Sequence, residues 1–203
     1  MKRAIVALAL TMPALMGLGA PTAWAAVTPM AKTATSAPAA PLSSVYWGDY
    51  TITNEAIGPG SVRRCLDTDT TQGGGNGNKI QIWGCNDLPQ QDWHFYETAP
   101  GSQVFYIVSV KYNRCLDQDL NTLPRNGTRV QLWDCNYQQQ QLWYLPWWTT
   151  SSHTLGFHDF YANAARGSVL DADSSHGLGN GSVVQIWQNL GGQNQFWHVF
   201  PWS

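Results

Sequence analysis

Aspartate, glutamine and tryptophan recur three times in this sequence at fixed distances, in a combination that could hold a sugar. Each copy has an aspartate 14 positions before a glutamine and a tryptophan two positions after it. A sugar ring can stack on an indole, while a carboxylate accepts hydrogen bonds from its hydroxyls and an amide both donates and accepts. The nine residues are Asp67, Gln81, Trp83, Asp117, Gln131, Trp133, Asp171, Gln185 and Trp187.

These residues belong to three longer repeats. The segment NGNKIQIWGCN (76–86) returns as NGTRVQLWDCN (126–136) and NGSVVQIWQNL (180–190), and a second tryptophan follows each first one after ten positions. The aspartates recur at offsets of 50 and 54 residues. Short apolar-alternating stretches between Gly, Asn and Asp indicate strands. Three such units are too few for a propeller, so the repeats predict a closed all-β body with pseudo-threefold symmetry.

Alternation along each strand predicts which side chains face the core. The apolar pairs Ile80/Ile82, Val130/Leu132 and Val184/Ile186 should point inward, and the first tryptophan of each unit should point outward beside a glutamine. The second tryptophan closes each unit among apolar neighbours. We therefore expect Trp93, Trp143 and Trp197 in the core.

The triple pattern CLD … IQxW … QxW resembles the ricin B-type lectin family over roughly residues 46–203. The resemblance implies an all-β β-trefoil with units near 46–98, 99–148 and 149–203. In such lectins the aspartate, the glutamine and aromatic residue of Q-x-W, and a polar residue before the last Q-x-W line the sugar site. The polar residues implied here are Gln90, Gln140 and Asn194. The family typically has Asn there, so the two glutamines leave room for an altered contact.

The glutamine that follows each of these polar residues is a further landmark of the family. Here these residues are Gln91, Gln141 and Gln195. They either touch the ligand or only brace the site. A second reading of the whole repeat is that the aspartates and glutamines cap turns in a trefoil whose sites have decayed. Against it, all three units keep Asp, Gln and Trp together, and an exposed tryptophan without a use lowers solubility.

The N-terminus has the pattern of a secretory signal peptide. A positive start (Met1-Lys2-Arg3), an apolar run and Ala23-Trp24-Ala25 predict cleavage after Ala25 and a secreted, extracellular protein. Residues 26–45 are rich in Ala, Thr, Ser and Pro and are predicted to be a linker or flexible tail. Cleavage leaves 9 basic and 13 acidic residues without a basic cluster. Nucleic acid and membranes are therefore not expected partners.

Four cysteines in an exported chain favour two disulfides over a metal site. Cys65 and Cys85 lie 20 positions apart, as do Cys115 and Cys135. Of the three pairings that four cysteines allow, we predict the two within units, Cys65–Cys85 and Cys115–Cys135. The third unit has Val169 and Asn189 at these places.

Catalysis is not expected. A glycosidase needs paired carboxylates, whereas the chain has only two glutamates, Glu55 and Glu97, and its repeated aspartates belong to separate units. The five histidines lack metal-ligand spacing, and no cofactor motif is present. The second aspartate of each unit is interpreted as a turn or support residue. These are Asp69, Asp119 and Asp173.

Two functions remain. The first is a stand-alone lectin for glycans, either galactose-type ligands, the commonest in the resembling family, or plant or cell-surface polysaccharides. The second is a targeting or adhesion subunit of a toxin or enzyme complex. In that case the aromatic inserts at 145–150 and 157–166 would dock a protein partner; the alternative is that they pack at the open end of the trefoil.

Overall fold

The structure is a computed structural model that describes residues 41, 43–56, 62–122, 126–146 and 168–201. In these ranges short alternating segments form eleven strands, all paired antiparallel, with 3₁₀ turns at Thr70–Gln72, Pro89–Gln91, Gln139–Gln141 and Gln193–Gln195. The strands are β1 (Val45–Asn54), β2 (Arg64–Thr68), β3 (Asn78–Gly84), β4 (Asp92–Glu97), β5 (Val104–Ser109), β6 (Cys115–Gln118), β7 (Thr128–Trp133), β8 (Trp143–Tyr144), β9 (Ser168–Ala172), β10 (Ser182–Gln188) and β11 (Trp197–Pro201).

Each repeat contributes one hairpin, and the three hairpins meet in a ring. Strand β2 pairs with β3, β6 with β7, and β9 with β10. The second strands of the three hairpins also pair with one another: β3 pairs with β7, β7 with β10, and β10 with β3. The remaining strands pair in the series β11, β1, β4, β5, β8. This arrangement is the closed pseudo-threefold body that the repeats predict, and it is the β-trefoil that the resemblance implies.

The core consists of the side chains that the alternation places inside. All six apolar residues of the repeated segments are at most 1% exposed, and so are the three second tryptophans. Each of these indoles also donates a hydrogen bond from Nε1 to a carbonyl of the strand that carries the site aspartate. The acceptors are Leu66 (3.2 Å), Leu116 (2.9 Å) and Leu170 (3.0 Å). The indoles thus link the end of every repeat to its hairpin.

Both predicted disulfides are present, Cys65–Cys85 and Cys115–Cys135. Each closes a hairpin whose ends lie 20 residues apart. In the third unit the place of the first cysteine is taken by Val169, which is fully buried. That unit is held by packing alone at this point.

We expect the double variant Cys65→Ser/Cys85→Ser to unfold with a free energy about 3 kcal/mol lower than the parent chain. A loop of this length restricts the unfolded ensemble by about that amount. Urea titration followed by tryptophan fluorescence measures the difference. Cys115→Ser/Cys135→Ser is the matched variant in the second repeat, and a change below about 1 kcal/mol in both would show that the native packing already fixes the hairpins.

Asp92 is a buried carboxylic acid at the start of strand β4. It is 1% exposed, and its hydrogen-bond partner is the hydroxyl of Thr51, at 3.4 Å. Burial raises the pKa of Asp92 to about 6. Because this lies above the ordinary value of about 4, the folded chain holds the proton more tightly than the unfolded one. The free energy of unfolding therefore falls as the pH rises from about 4 to 6, and stays lower above that range.

Asp92→Leu should raise the free energy of unfolding at pH 7 by on the order of 2 kcal/mol. The substitution introduces the residue type found at the equivalent Leu142. The gain should shrink towards pH 4, where the wild-type carboxyl is protonated in the folded state and about half protonated in the unfolded state. Urea titrations at pH 4.5 and 7 measure both effects. A variant that is less stable at pH 7 would show that the Thr51 contact outweighs the burial of charge.

Several sequence predictions concern residues outside the described ranges. These are the signal peptide, nearly all of the linker, and most of the aromatic inserts. In the part of the chain that the structure describes, we find no helix with the length and hydropathy needed to cross a membrane.

Candidate functional site

The hairpin register places each site aspartate directly opposite its glutamine. Asp67 pairs with Gln81, and the same register recurs at Asp117 and at Asp171. In each case the glutamine Nε2 donates to the aspartate Oδ1. The distances are 2.9 Å from Gln81, 3.1 Å from Gln131 and 2.9 Å from Gln185. The amide therefore orients the carboxylate.

A second amide holds the other carboxylate oxygen. It comes from the 3₁₀ turn before the core tryptophan, where Gln91, Gln141 and Gln195 are at most 3% exposed. In all three units its Nε2 donates to the aspartate Oδ2 at 2.9 Å. Its Oε1 accepts the backbone N–H of Asn86, Asn136 or Leu190. These glutamines brace the carboxylate against the loop that follows the exposed tryptophan.

Each carboxylate keeps acceptor capacity after these two bonds. A carboxylate offers about four lone-pair positions, and the two glutamines occupy two of them. Burial raises the pKa of Asp67, Asp117 and Asp171, and the glutamine hydrogen bonds offset part of that rise. The result is a fixed, ionisable acceptor that can take hydrogen bonds from the hydroxyl groups of a ligand.

The first tryptophan of each unit provides an aromatic surface beside the carboxylate. Trp83 is 40% exposed and Trp133 is 38% exposed, while Trp187 is partly exposed. Trp83 lies across the hairpin from Cys65, and Trp133 lies across from Cys115, so a disulfide-bonded cysteine is opposite each of these tryptophans. At Trp187 the opposite residue is Val169.

Cavities lie over the first and third sites, with volumes of about 420 Å³ and 470 Å³. Both fall within the range of small-ligand sites. Their walls include residues that the sequence analysis did not assign to a sugar site. At the first site these are Asp69, Thr70, Thr71, Lys79, Asn86 and Gly181, and at the third site Asp173, Ser174, Ser175, Leu190, Gly192. The sequence could have indicated these wall residues, because two hydroxyl residues follow the second aspartate in both repeats.

The second aspartates act as turn residues, as predicted. Each accepts the backbone N–H two positions later. The donors are Thr71 (2.9 Å), Asn121 (3.0 Å) and Ser175 (2.9 Å). Asp69 also forms an ion pair with Lys79, at 3.5 Å. Asp69 and Asp173 thereby shape the loop that borders the cavity.

The polar residue before the last Q-x-W differs between sites. In the third unit Asn194 Nδ2 donates to Asp171 Oδ2 at 2.9 Å and to the carbonyl of Ala172 at 3.0 Å. Gln140 donates to Asn136 Oδ1 at 3.2 Å, and its amide also lies close enough to Asp117 to lower the pKa of that carboxyl. Gln90 lies on the wall of the first cavity. The third carboxylate is thus held by three amides.

In the first and third units the assigned residues lie together around the cavities. In the second unit Gln131 and Gln141 both contact Asp117. His94 and His198 are packing residues beside acidic partners, Asp49 and Glu55. Across the described residues, His, Cys, Asp and Glu side chains form no group able to hold a metal ion.

Comparison with solved structures supports the fold. The designed threefold-symmetric protein ThreeFoil matches with a TM-score of 0.60 and 18% identity, over 76% of this chain and 99% of that one. The agglutinin of Rhizoctonia solani matches at 0.57 and 18%, over 76% and 94%. The Macrolepiota procera ricin B-like lectin, solved with lactose, matches at 0.55 and 19%, over 75% and 94%. At these identities the likeness concerns the fold.

Sequence comparison points the same way. Among curated protein sequences, none matches the chain. Residues 42–133 match the family described as "Ricin-type beta-trefoil lectin domain-like". This segment contains the first site and most of the second. The family match covers the first part of the described domain, and the similar solved structures share its β-trefoil fold.

Proposed function

We propose that this chain is a secreted carbohydrate-binding protein with up to three sugar sites, one in each repeat, and without catalytic activity. One observation carries the proposal. Three buried aspartates are each held by two glutamine amides, and each lies in the same hairpin as an exposed or partly exposed tryptophan. Secretion rests on the signal-peptide pattern at residues 1–25.

The arrangement suits a pyranose with neighbouring hydroxyl groups. The indole stacks on the C–H face of the ring, and the carboxylate accepts from one or two hydroxyls in charge-assisted hydrogen bonds. Because the glutamines already fix the carboxylate, little rotamer freedom is lost on binding. Galactose-type ligands and plant or cell-surface polysaccharides are the classes we propose. A similar lectin fold has been solved with lactose bound.

A glycan array probed with the purified chain tests the proposal. We expect binding to glycans with exposed neutral pyranose rings, and calorimetry should then confirm it in solution. Absence of binding to every glycan on the array, by a chain that unfolds cooperatively, would overturn the proposal.

A further inference from the structure

Each Asn-Gly turn forms two hydrogen bonds with the next repeat of the ring. The glycine N–H donates to a carbonyl of that repeat, with Gly77 bonding to Leu132 (2.8 Å), Gly127 to Ile186 (2.9 Å) and Gly181 to Ile82 (2.9 Å). The asparagine Oδ1 accepts the backbone N–H of the residue two positions after that carbonyl. The pairs are Asn76 with Asp134 (2.7 Å), Asn126 with Gln188 (2.8 Å) and Asn180 with Gly84 (2.7 Å).

In every case the residue between the two bonded positions is the exposed tryptophan. Trp83 lies between Ile82 and Gly84, and both of these are bonded to the turn of the third repeat. The peptide groups on either side of the indole are therefore fixed by another unit. The backbone ladder between β10 and β3 ends at this point, and the asparagine side chain supplies its last hydrogen bond.

The turn also lies against the site itself. A Cβ at Gly181 would be 3.8 Å from Trp83 Cζ3 and 3.9 Å from Gln81 Oε1. At Gly127 the corresponding distances, to Trp187 Cζ3 and Gln185 Oε1, are both 3.8 Å. Gly181 is moreover part of the wall of the first cavity. At the second site a Cβ at Gly77 would be 3.7 Å from Arg129 Nη2 and 3.9 Å from Gln131 Oε1.

We propose that Asn180, Asn126 and Asn76 are positioning residues for the sugar site of a neighbouring repeat rather than their own. Asn180 of the third repeat acts on the first site, Asn126 of the second on the third, and Asn76 of the first on the second. This inference rests on the proposed function. Each repeat thus positions the site of the next repeat, in one direction around the ring.

Removing the asparagine acceptor should weaken binding at one identifiable site. Without this acceptor, the strand end that carries the tryptophan loses a hydrogen bond and the indole becomes more mobile. Stacking of a sugar on the indole then costs more conformational entropy. A hydrogen bond of this kind contributes about 0.5–1.5 kcal/mol, which corresponds to roughly a three- to tenfold change in affinity.

The test uses two host chains, each with a single working site. The first carries Asp117→Asn and Asp171→Asn, and the second carries Asp67→Asn and Asp117→Asn. Calorimetry with lactose should show that Asn180→Ala lowers the affinity of the first host for the sugar about three- to tenfold. The same substitution should lower the affinity of the second host less than twofold. Asn126→Ala should show the reverse. Asn180→Asp, which keeps an oxygen acceptor, should restore most of the affinity of the first host.

A readout without sugar separates this inference from the proposed function. In a ¹⁵N-labelled chain that keeps all three site aspartates, Asn180→Ala should shift the indole N–H resonance of Trp83 more than that of Trp187. The Trp83 resonance is assigned with Trp83→Phe. Asn126→Ala should do the opposite. If each substitution acts on its own repeat, or on both tryptophans equally, the inference is wrong. If the resonances follow the prediction but the wild-type chain binds no glycan, only the proposed function fails, and with it the sugar role of these residues.

Discussion

Replacing Trp143 with alanine should lower the free energy of unfolding by about 3–5 kcal/mol, the range for truncating a large buried aromatic side chain. Trp143 is 1% exposed, and its Nε1 donates to the Leu116 carbonyl at 2.9 Å. The substitution removes that donor and leaves a cavity between the end of the second repeat and the strand that carries Asp117. Urea titration followed by far-UV circular dichroism measures the loss.

Trp133→Ala is the matched control in the same repeat. Its side chain is 38% exposed and lies on the opposite face of β7 from the core residues Val130 and Leu132. We expect its truncation to change the free energy of unfolding by about 1 kcal/mol or less and to weaken sugar binding at the second site. If Trp133→Ala proves more destabilising than Trp143→Ala, the assignment of the two tryptophans to surface and core is wrong.

A branched or polymeric glycan should bind about 10²–10⁴ times more tightly than its monosaccharide. Each site offers one stacked ring face and a few partly solvated hydrogen bonds, so a single sugar should bind weakly. Once one site is occupied, the other two meet the same polymer at a high effective concentration. Calorimetry with the monosaccharide and surface binding with the polymer provide the two affinities.

The triple variant Asp67→Asn/Asp117→Asn/Asp171→Asn should abolish polymer binding, whereas each single change should only reduce it. Asparagine keeps the shape of these buried side chains but removes the charge that strengthens the hydrogen bonds to hydroxyl groups. Circular dichroism checks that each variant is folded. If Asp171→Asn alone removes all binding, the first two sites are scaffold, and Gln90 and Gln140 mark sites that have lost their function.

The local part of the site could be predicted from the sequence. The 14-residue spacing between Asp67 and Gln81 closes one hairpin, and alternation along β3 then separates Trp83 from the core pair Ile80 and Ile82. These relations depend only on neighbours in the chain. The same holds for the disulfides, whose cysteines flank that hairpin in the first two repeats.

The contacts between distant segments could not be predicted in this way. The sequence left open whether Gln91 touches ligand or braces the site, and the answer depends on a 3₁₀ turn that brings its amide to Asp67 from 24 residues away. An Asn-Gly pair by itself predicts only a tight turn. That Gly181 borders the first site follows from the pairing of β10 with β3, which no local pattern encodes.

The ring of hairpins also has a consequence for how the chain folds. The third turn closes the ring on β3, and β11 pairs with β1, so the last described segments complete structures begun by the first ones. A topology dominated by such non-local pairs folds in milliseconds to seconds rather than microseconds. Until residues 180–201 have been synthesised, β1 lacks its partner β11, although it can pair with β4, and the far edge of β3 lacks β10. The growing chain therefore exposes two strand edges that can pair with other chains, and prompt completion of the third repeat limits aggregation.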